Sequence, residues 1–307
     1  MSISYWSALV NSWNRMVKML FRPFSINKWF ILGFSAFLAH LLDFEDKKSS
    51  FDDTDLSDLD QIFNFPDEVK NWIDMNPDWF ALIIAGIFAL IIIGVVLTWL
   101  SSRGKFMFLD NIVNDHTLIK KPWHEFKQCA NSLFFWRIGY GLVLIAVFGT
   151  FLSYTFIELR QMYHNYASDS DMIAAAIRMG VFFLLLLLFS AYISLFLEDF
   201  VIPLMYKSKS KIWIGWSRFL PLLSGNFITF VLYGLFVIFL YIVVAIAVVT
   251  LSLLTCCIGL VFLIIPYINS VITLPITVLF RSLGPEFMQQ FGPEYQIFDE
   301  SVSNKSE

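Results

Sequence analysis

Between Arg218 and Arg281 the chain runs for 62 residues, Phe219–Phe280, without a charged side chain. Few folds accept such a stretch. Crossing the hydrocarbon of a bilayer takes about 20 apolar residues, so this run is long enough for two crossings and a tight turn, placed near 251–257. Further uncharged runs cover 79–100, 138–157 and 179–197. A weaker one lies near 26–42, with Lys28 able to snorkel at its end. Six spans result. Composition agrees: 58% of residues are hydrophobic and 15% charged, against about a quarter charged in soluble domains. The expected fold class is all-α, a polytopic bundle of six transmembrane helices with amphipathic interfacial helices on its inner face.

Lys and Arg set orientation, because short cytoplasmic loops are enriched in them. Arg15, Lys18, Arg22 and Lys28 precede the first span. Arg103, Lys105, Lys120, Lys121, Lys127 and Arg137 lie between the second and third. Lys207, Lys209, Lys211 and Arg218 lie between the fourth and fifth, and Arg281 and Lys305 follow the sixth. That places 16 of 21 on one side and predicts that both termini are cytoplasmic. The basic stretch ahead of Trp29 is too long for the n-region of a cleavable signal.

The segments between spans complete a single integral membrane domain over 1–307. Residues 1–25 read as an interfacial helix: Trp6, Leu9, Val10, Trp13, Val17 and Leu20 form one stripe, with Asn11, Asn14, Arg15 and Lys18 opposite. A basic amphipathic helix with tryptophans lies in the membrane interface, near anionic headgroups. Residues 101–131 and 198–226 read as cytoplasmic amphipathic segments; "RGKFMFLDNIV" and "EDFVIPLMY" within them suggest short interfacial helices. Residues 281–307 form a cytoplasmic tail. Residues 43–78 form an acidic outer loop with 12 acids and 3 lysines. Its "FDDTDLSDLDQIF" lacks the Gly at position six and the Glu at position twelve of an EF-hand, so acidic surface helices are expected there rather than a calcium site.

A shift of 93 residues brings "IKKPWHEF" onto "IWIGWSRF", aligning Ile119 with Ile212, Trp123 with Trp216 and Phe126 with Phe219. The same shift aligns Tyr140-Gly141-Leu142 with Tyr233-Gly234-Leu235. Each unit is an inner amphipathic helix followed by an out-and-back hairpin. These would be parallel repeats about an axis along the membrane normal.

Catalytic signatures are missing. The histidines (His40, His116, His124 and His164) are scattered, and there is no HExxH, Walker loop or GxSxG. Cys129, Cys256 and Cys257 form no disulfide framework or zinc spacing. "LSGN" at 223–226 has no partnering histidine. No cofactor, metal or nucleic acid is implied; membrane lipids and a protein partner or self-association are. The charges nearest the hydrocarbon, Arg137, Glu158, Arg178, Glu198 and Asp199, sit at or near span ends, which argues against ion coupling. The last apolar stretch is the exception to this plainness. Pro266 and Pro275 interrupt it, each removing a backbone donor. Tyr267, Asn269, Ser270 and Thr273 would either rescue the freed carbonyls or face a cavity. A kinked, packed span is one reading. The other is a ligand cavity between the repeats, lined by Tyr140, Tyr233, Pro266, Asn269, Ser270 and Thr273.

"SSRGKFMFLDNIV", "NSLFFWRIGYG", "EDFVIPLMY" and the stretch from "CCIGLVFLIIPYINSVITLPITVLFRSLG" to "QFGPEY" carry a resemblance. With "RPFSINKWFILGFSAFLA", they resemble an uncharacterised family of bacterial six-span membrane proteins. That family is distantly similar to the membrane domain found beside glycerophosphodiester phosphodiesterases. The resemblance implies a bacterial inner-membrane location and no established activity; the phosphodiesterase barrel and its metal ligands are not here. The expected function is a non-enzymatic scaffold or accessory factor, with a transporter or lipid-handling permease as the alternative.

Overall fold

The computed structural model describes residues 3–41, 66, 69–164, 168–254 and 265–298. Among them regular structure is helical and no strand occurs. The helices are α1 (Tyr5–Phe21), α2 (Ile26–Ala39), α3 (Pro77–Val113), α4 (Lys120–Glu125), α5 (Lys127–His164), α6 (Asp169–Phe196), α7 (Ile202–Ser208), α8 (Ile212–Gly225), α9 (Phe227–Leu254), α10 (Pro266–Ile272) and α11 (Leu274–Met288). A π turn, Leu197–Val201, joins α6 to α7 without a break. Among the described residues, four helices are long and apolar enough to cross a membrane: Pro77–Val113, Lys127–His164, Ser170–Ser208 and Phe227–Thr250. They mark the chain as a membrane protein, since a helix satisfies every backbone donor within itself. At 14 residues, α2 is shorter than these four. Cys256, Cys257 and most of the acidic 43–78 segment lie outside the described residues, as do the end of the turn expected near 251–257 and the last residues of the tail.

Two compact units divide the chain. The first takes Met1–Leu41, Trp99–Arg137 and Leu187–Glu307; the second takes Leu42–Thr98 and Ile138–Leu186.

The first unit holds the core, and it forms where the sequence suggested surface. Every residue from Ser101 through Ile112 is buried. The "RGKFMFLDNIV" string is thus the packed continuation of α3 rather than a separate interfacial helix. "EDFVIPLMY" likewise continues α6 through the π turn into α7, with Phe200, Val201, Ile202 and Met205 fully buried. Both strings are apolar on several faces, and among the charges they carry Lys105 pairs with Glu198. Around Phe200 an aromatic cluster closes: Phe219 stacks at 5.1 Å, Phe230 meets it edge-on at 5.0 Å, and Tyr233 lies 4.6 Å from Phe287. Each such pair adds about 0.5–1.5 kcal/mol beyond its buried area. Two glycines allow the closest approaches. A Cβ at Gly104 would meet the Leu38 carbonyl carbon at 2.5 Å, and one at Gly284 would meet the Asp199 carbonyl oxygen at 2.3 Å.

In this unit α1 lies along α11. Ala8, Ser12, Met16, Met19 and Leu20 are buried, while Trp6, Val10 and Trp13 face outward and are exposed. The single apolar stripe expected from the sequence is therefore split. Small Ala8 and Ser12 let the helices approach closely, which turns Leu20 inward and leaves the tryptophans outside. Ser7, Asn11 and Asn14 occupy the remaining, polar exposed face. Ser4 caps the helix, its Oγ accepting from the Ser7 amide at 3.2 Å. Gln290 clamps the same residue: its Oε1 accepts from the Ser4 amide at 2.8 Å and its Nε2 donates to the Ser4 carbonyl at 3.0 Å.

The second unit comprises the apolar stretches of α3, α5 and α6. Their Leu, Ile, Val and Phe side chains are largely exposed, as lipid-facing surfaces are. Phe151 stacks on Phe183 at 5.9 Å, and Arg178 pairs with Glu158 at 2.7 Å. This arginine finds a neighbouring carboxylate, one of the two outcomes open to a cation near a span end.

Candidate functional site

The six residues expected to line a cavity divide between different tasks. Tyr140 belongs to the second unit and the others to the first. Tyr233 is fully buried, and its hydroxyl donates to Asp199 Oδ2 at 2.7 Å. Pro266 opens α10 and Pro275 sits in the first turn of α11. Neither is a kink inside a continuous span; both occupy helix starts, where the missing donor costs nothing. The break falls at Thr273 instead. Its Oγ1 donates to the Asn269 carbonyl at 2.7 Å, and the Thr277 Oγ1 donates to the Thr273 carbonyl at 3.0 Å. Tyr267 donates to the Phe30 carbonyl at 3.0 Å, and Val271 packs into the space left by Gly33 on α2. Asn269 and Ser270 are half-buried on α10. The hydroxyls of Thr273 and Thr277 are thus spent on their own helices' carbonyls and that of Tyr267 on α2.

The polar chemistry of the first unit lies elsewhere. Glu198, in the π turn, bridges two nearly buried cations: its Oε1 lies 2.5 Å from Lys105 Nζ and its Oε2 3.1 Å from Arg281 Nη1. Arg281 also donates to the backbone carbonyls of Glu198 at 3.0 Å and Lys105 at 3.4 Å. Beyond it, Glu286 is 3% exposed and accepts Arg15 at 2.9 Å, and the Arg15 guanidinium lies 3.5 Å over the Phe298 ring. At the end of α3, Asp110 accepts from Tyr206 at 2.8 Å and faces His116 Nε2 at 3.2 Å. The other ring nitrogen of His116 meets Asn111 Oδ1 at 2.8 Å. Near the surface, the hydrogen bond from Lys209 to Glu125, at 2.7 Å, holds that carboxyl below its usual range, and the same bond raises Lys209.

These carboxylates and cations are consumed by one another. Among the described residues no group of three His, Cys, Asp or Glu is placed to hold a metal. An open groove runs over the outer face of α8, lined by Ser217, Leu220, Pro221, Leu223, Ser224 and Phe227. Its lining is apolar apart from two serines. Sequence reasoning placed Glu198 near a span end, Lys105 between the second and third spans and Arg281 after the sixth, and missed that they meet. The available signal was each charge's setting inside an apolar string, "SLFLEDFVIPLM" and "TVLFRSLG": an ionisable residue there is costly unless paired.

No curated protein and no solved structure matches the chain. A family match does cover nearly all of the described helices, residues 5–288. Its description, a family of unknown function, carries no activity with it. A mostly helical chain with four membrane-length helices, a core of mutually neutralised charges and this match over residues 5–288 belongs to the DUF7544 family.

Proposed function

We propose that this protein is a six-span scaffold or accessory factor of a bacterial inner membrane, with both termini cytoplasmic and no enzymatic activity. The observation that carries this reading is the ionic core: Lys105 and Arg281 both pair with Glu198, which engages the charge of each of the three within the protein. α3, α5, α6 and α9 supply four crossings; α2 and the stretch through 255–282 supply the other two. The distribution of 16 of 21 Lys and Arg supports the orientation. The short-helix, long-helix order of α4–α5 and α8–α9 is the order that parallel repeats would have. The outward tryptophans of α1 suit a helix resting at the headgroup level, its polar face toward water.

Native mass spectrometry of the protein extracted gently from its own membrane tests the reading. A retained protein partner, with no small ligand, is the expected result. A small molecule held by the wild type and lost in Asn269→Ala would replace the scaffold with a permease. On the scaffold reading Asn269→Ala changes thermal stability alone. Labelling of single cysteines introduced near each terminus, in intact cells and in inverted vesicles, checks the topology. Reactivity of either terminus from outside would break the six-span alternation.

A further inference from the structure

Arg103 sits where the apolar part of α3 ends, one turn beyond Trp99. It is 6% exposed. Its guanidinium carbon lies 4.6 Å from the Trp99 ring and 5.0 Å from the Trp123 ring, and the two indoles meet edge to face at 5.9 Å. One amino group donates to the Trp123 carbonyl at 3.2 Å and the other reaches Asn131 Oδ1 at 3.5 Å. Its Nε is buried with no partner. Unlike Lys105, Arg281 and Arg15, it forms no ion pair with a carboxylate of the described residues. A desolvated cation in that state is costly, and stacking on indoles offsets only part of it.

The surroundings are of the same sign. From His116 to Arg137 the one acid is Glu125, which Lys209 engages at 2.7 Å. Lys120, Lys121 and Lys127 are exposed in that stretch, and Arg137 is half-buried, donating to Ser101 Oγ at 3.0 Å. Tryptophans collect at the headgroup level of a membrane, which puts this arginine at the depth of lipid phosphates. Guanidinium groups bind phosphate through two parallel donors.

We propose that Arg103, held between Trp99 and Trp123, is the floor of a site for the phosphate of an anionic phospholipid headgroup. The inference rests on the membrane reading above. The test uses the full chain in mild detergent, with melting followed as phosphatidylglycerol, phosphatidylcholine of the same acyl chains, or inorganic phosphate is added. Phosphatidylglycerol is expected to raise the melting temperature of the wild type by about 5 °C, and the other two to leave it within a degree or so. Arg103→Lys keeps the charge but loses the fork and the stack, and should lose most of that rise. Trp123→Leu, at a half-buried position, should lose at least half and serves if Arg103→Lys does not fold. Arg218→Gln removes an exposed charge elsewhere and should keep the full rise.

An equal rise with phosphatidylcholine, or a full rise in Trp123→Leu, would overturn the site. A rise with inorganic phosphate alone would assign the anion to solution rather than to a lipid. Resistance of the protein to carbonate extraction is scored in parallel. If it stays in the membrane fraction while the lipid effect fails, the site is wrong and the membrane reading stands.

Discussion

Glu198→Ala is expected to be among the most damaging single substitutions in this protein. The carboxylate lies between Lys105, 3% exposed, and Arg281, 8% exposed. Removing it takes away the carboxylate that bridges these two buried cations. Breaking a buried pair in this way costs about 3–5 kcal/mol, and here two partners are stranded at once. A loss of that size lowers the melting temperature by roughly 10 °C in a chain of this length. It would show in fluorescence-detected size exclusion as loss of the monodisperse peak. Lys209→Ala supplies the contrast: it breaks the exposed pair with Glu125 and should leave both readings where they were. A Glu198→Ala protein that melts within two or three degrees of wild type, by this order-of-magnitude scale, would show that the core does not depend on the bridge.

The second large effect is steric. Gly104→Ala drives a methyl carbon to within 2.5 Å of the Leu38 backbone and 2.6 Å of the Ala39 nitrogen. Gly284→Ala places one 2.3 Å from the Asp199 carbonyl oxygen and 2.8 Å from its Cα. Backbone cannot swing aside as the end of a side chain can, so helices must separate. Overpacking costs typically about 1–3 kcal/mol and occasionally more, and these two sites belong at the upper end. Gly139→Ala and Gly149→Ala, both in α5 with open space around the added carbon, should instead stabilise by up to about 1 kcal/mol through helix propensity. Thermal melts of the four variants separate the two classes. If Gly104→Ala and Gly139→Ala shift in the same direction, the packing of α2 on α3 is misplaced.

Much of the architecture is legible in the uncharged runs, because hydrocarbon admits little but helices. The runs at 79–100 and 138–157 fall inside α3 and α5, and that at 179–197 falls in α6 and the first residue of the π turn. The helical character of residues 5–21 is legible from the spacing of Trp6, Val10 and Trp13. What cannot be read is which apolar face meets protein. Lipid tails and leucine side chains are equally apolar, so hydropathy does not distinguish a lipid-facing stripe from a packing face. Leu20 and Trp13 share a stripe on the helical wheel, yet one is buried and the other exposed. Asn269, Ser270 and Thr273 illustrate the same ambiguity for polar groups. A hydroxyl near a proline can line a cavity or cap a carbonyl, and only the 2.7 Å contact of Thr273 with Asn269 shows which use is made of this one.

By itself, the sequence determined that this chain is helical and of membrane type, and where its long apolar helices lie. Those properties follow from local length and hydropathy, which each segment carries alone. Tertiary structure decided that residues 101–112 and 197–205 form the core, that Glu198 joins Lys105 to Arg281, and that Arg103 is left with indoles instead of a carboxylate. A charge in an apolar string states only that it needs a partner. The partner is supplied by a helix far away in sequence, and it becomes known when the helices pack.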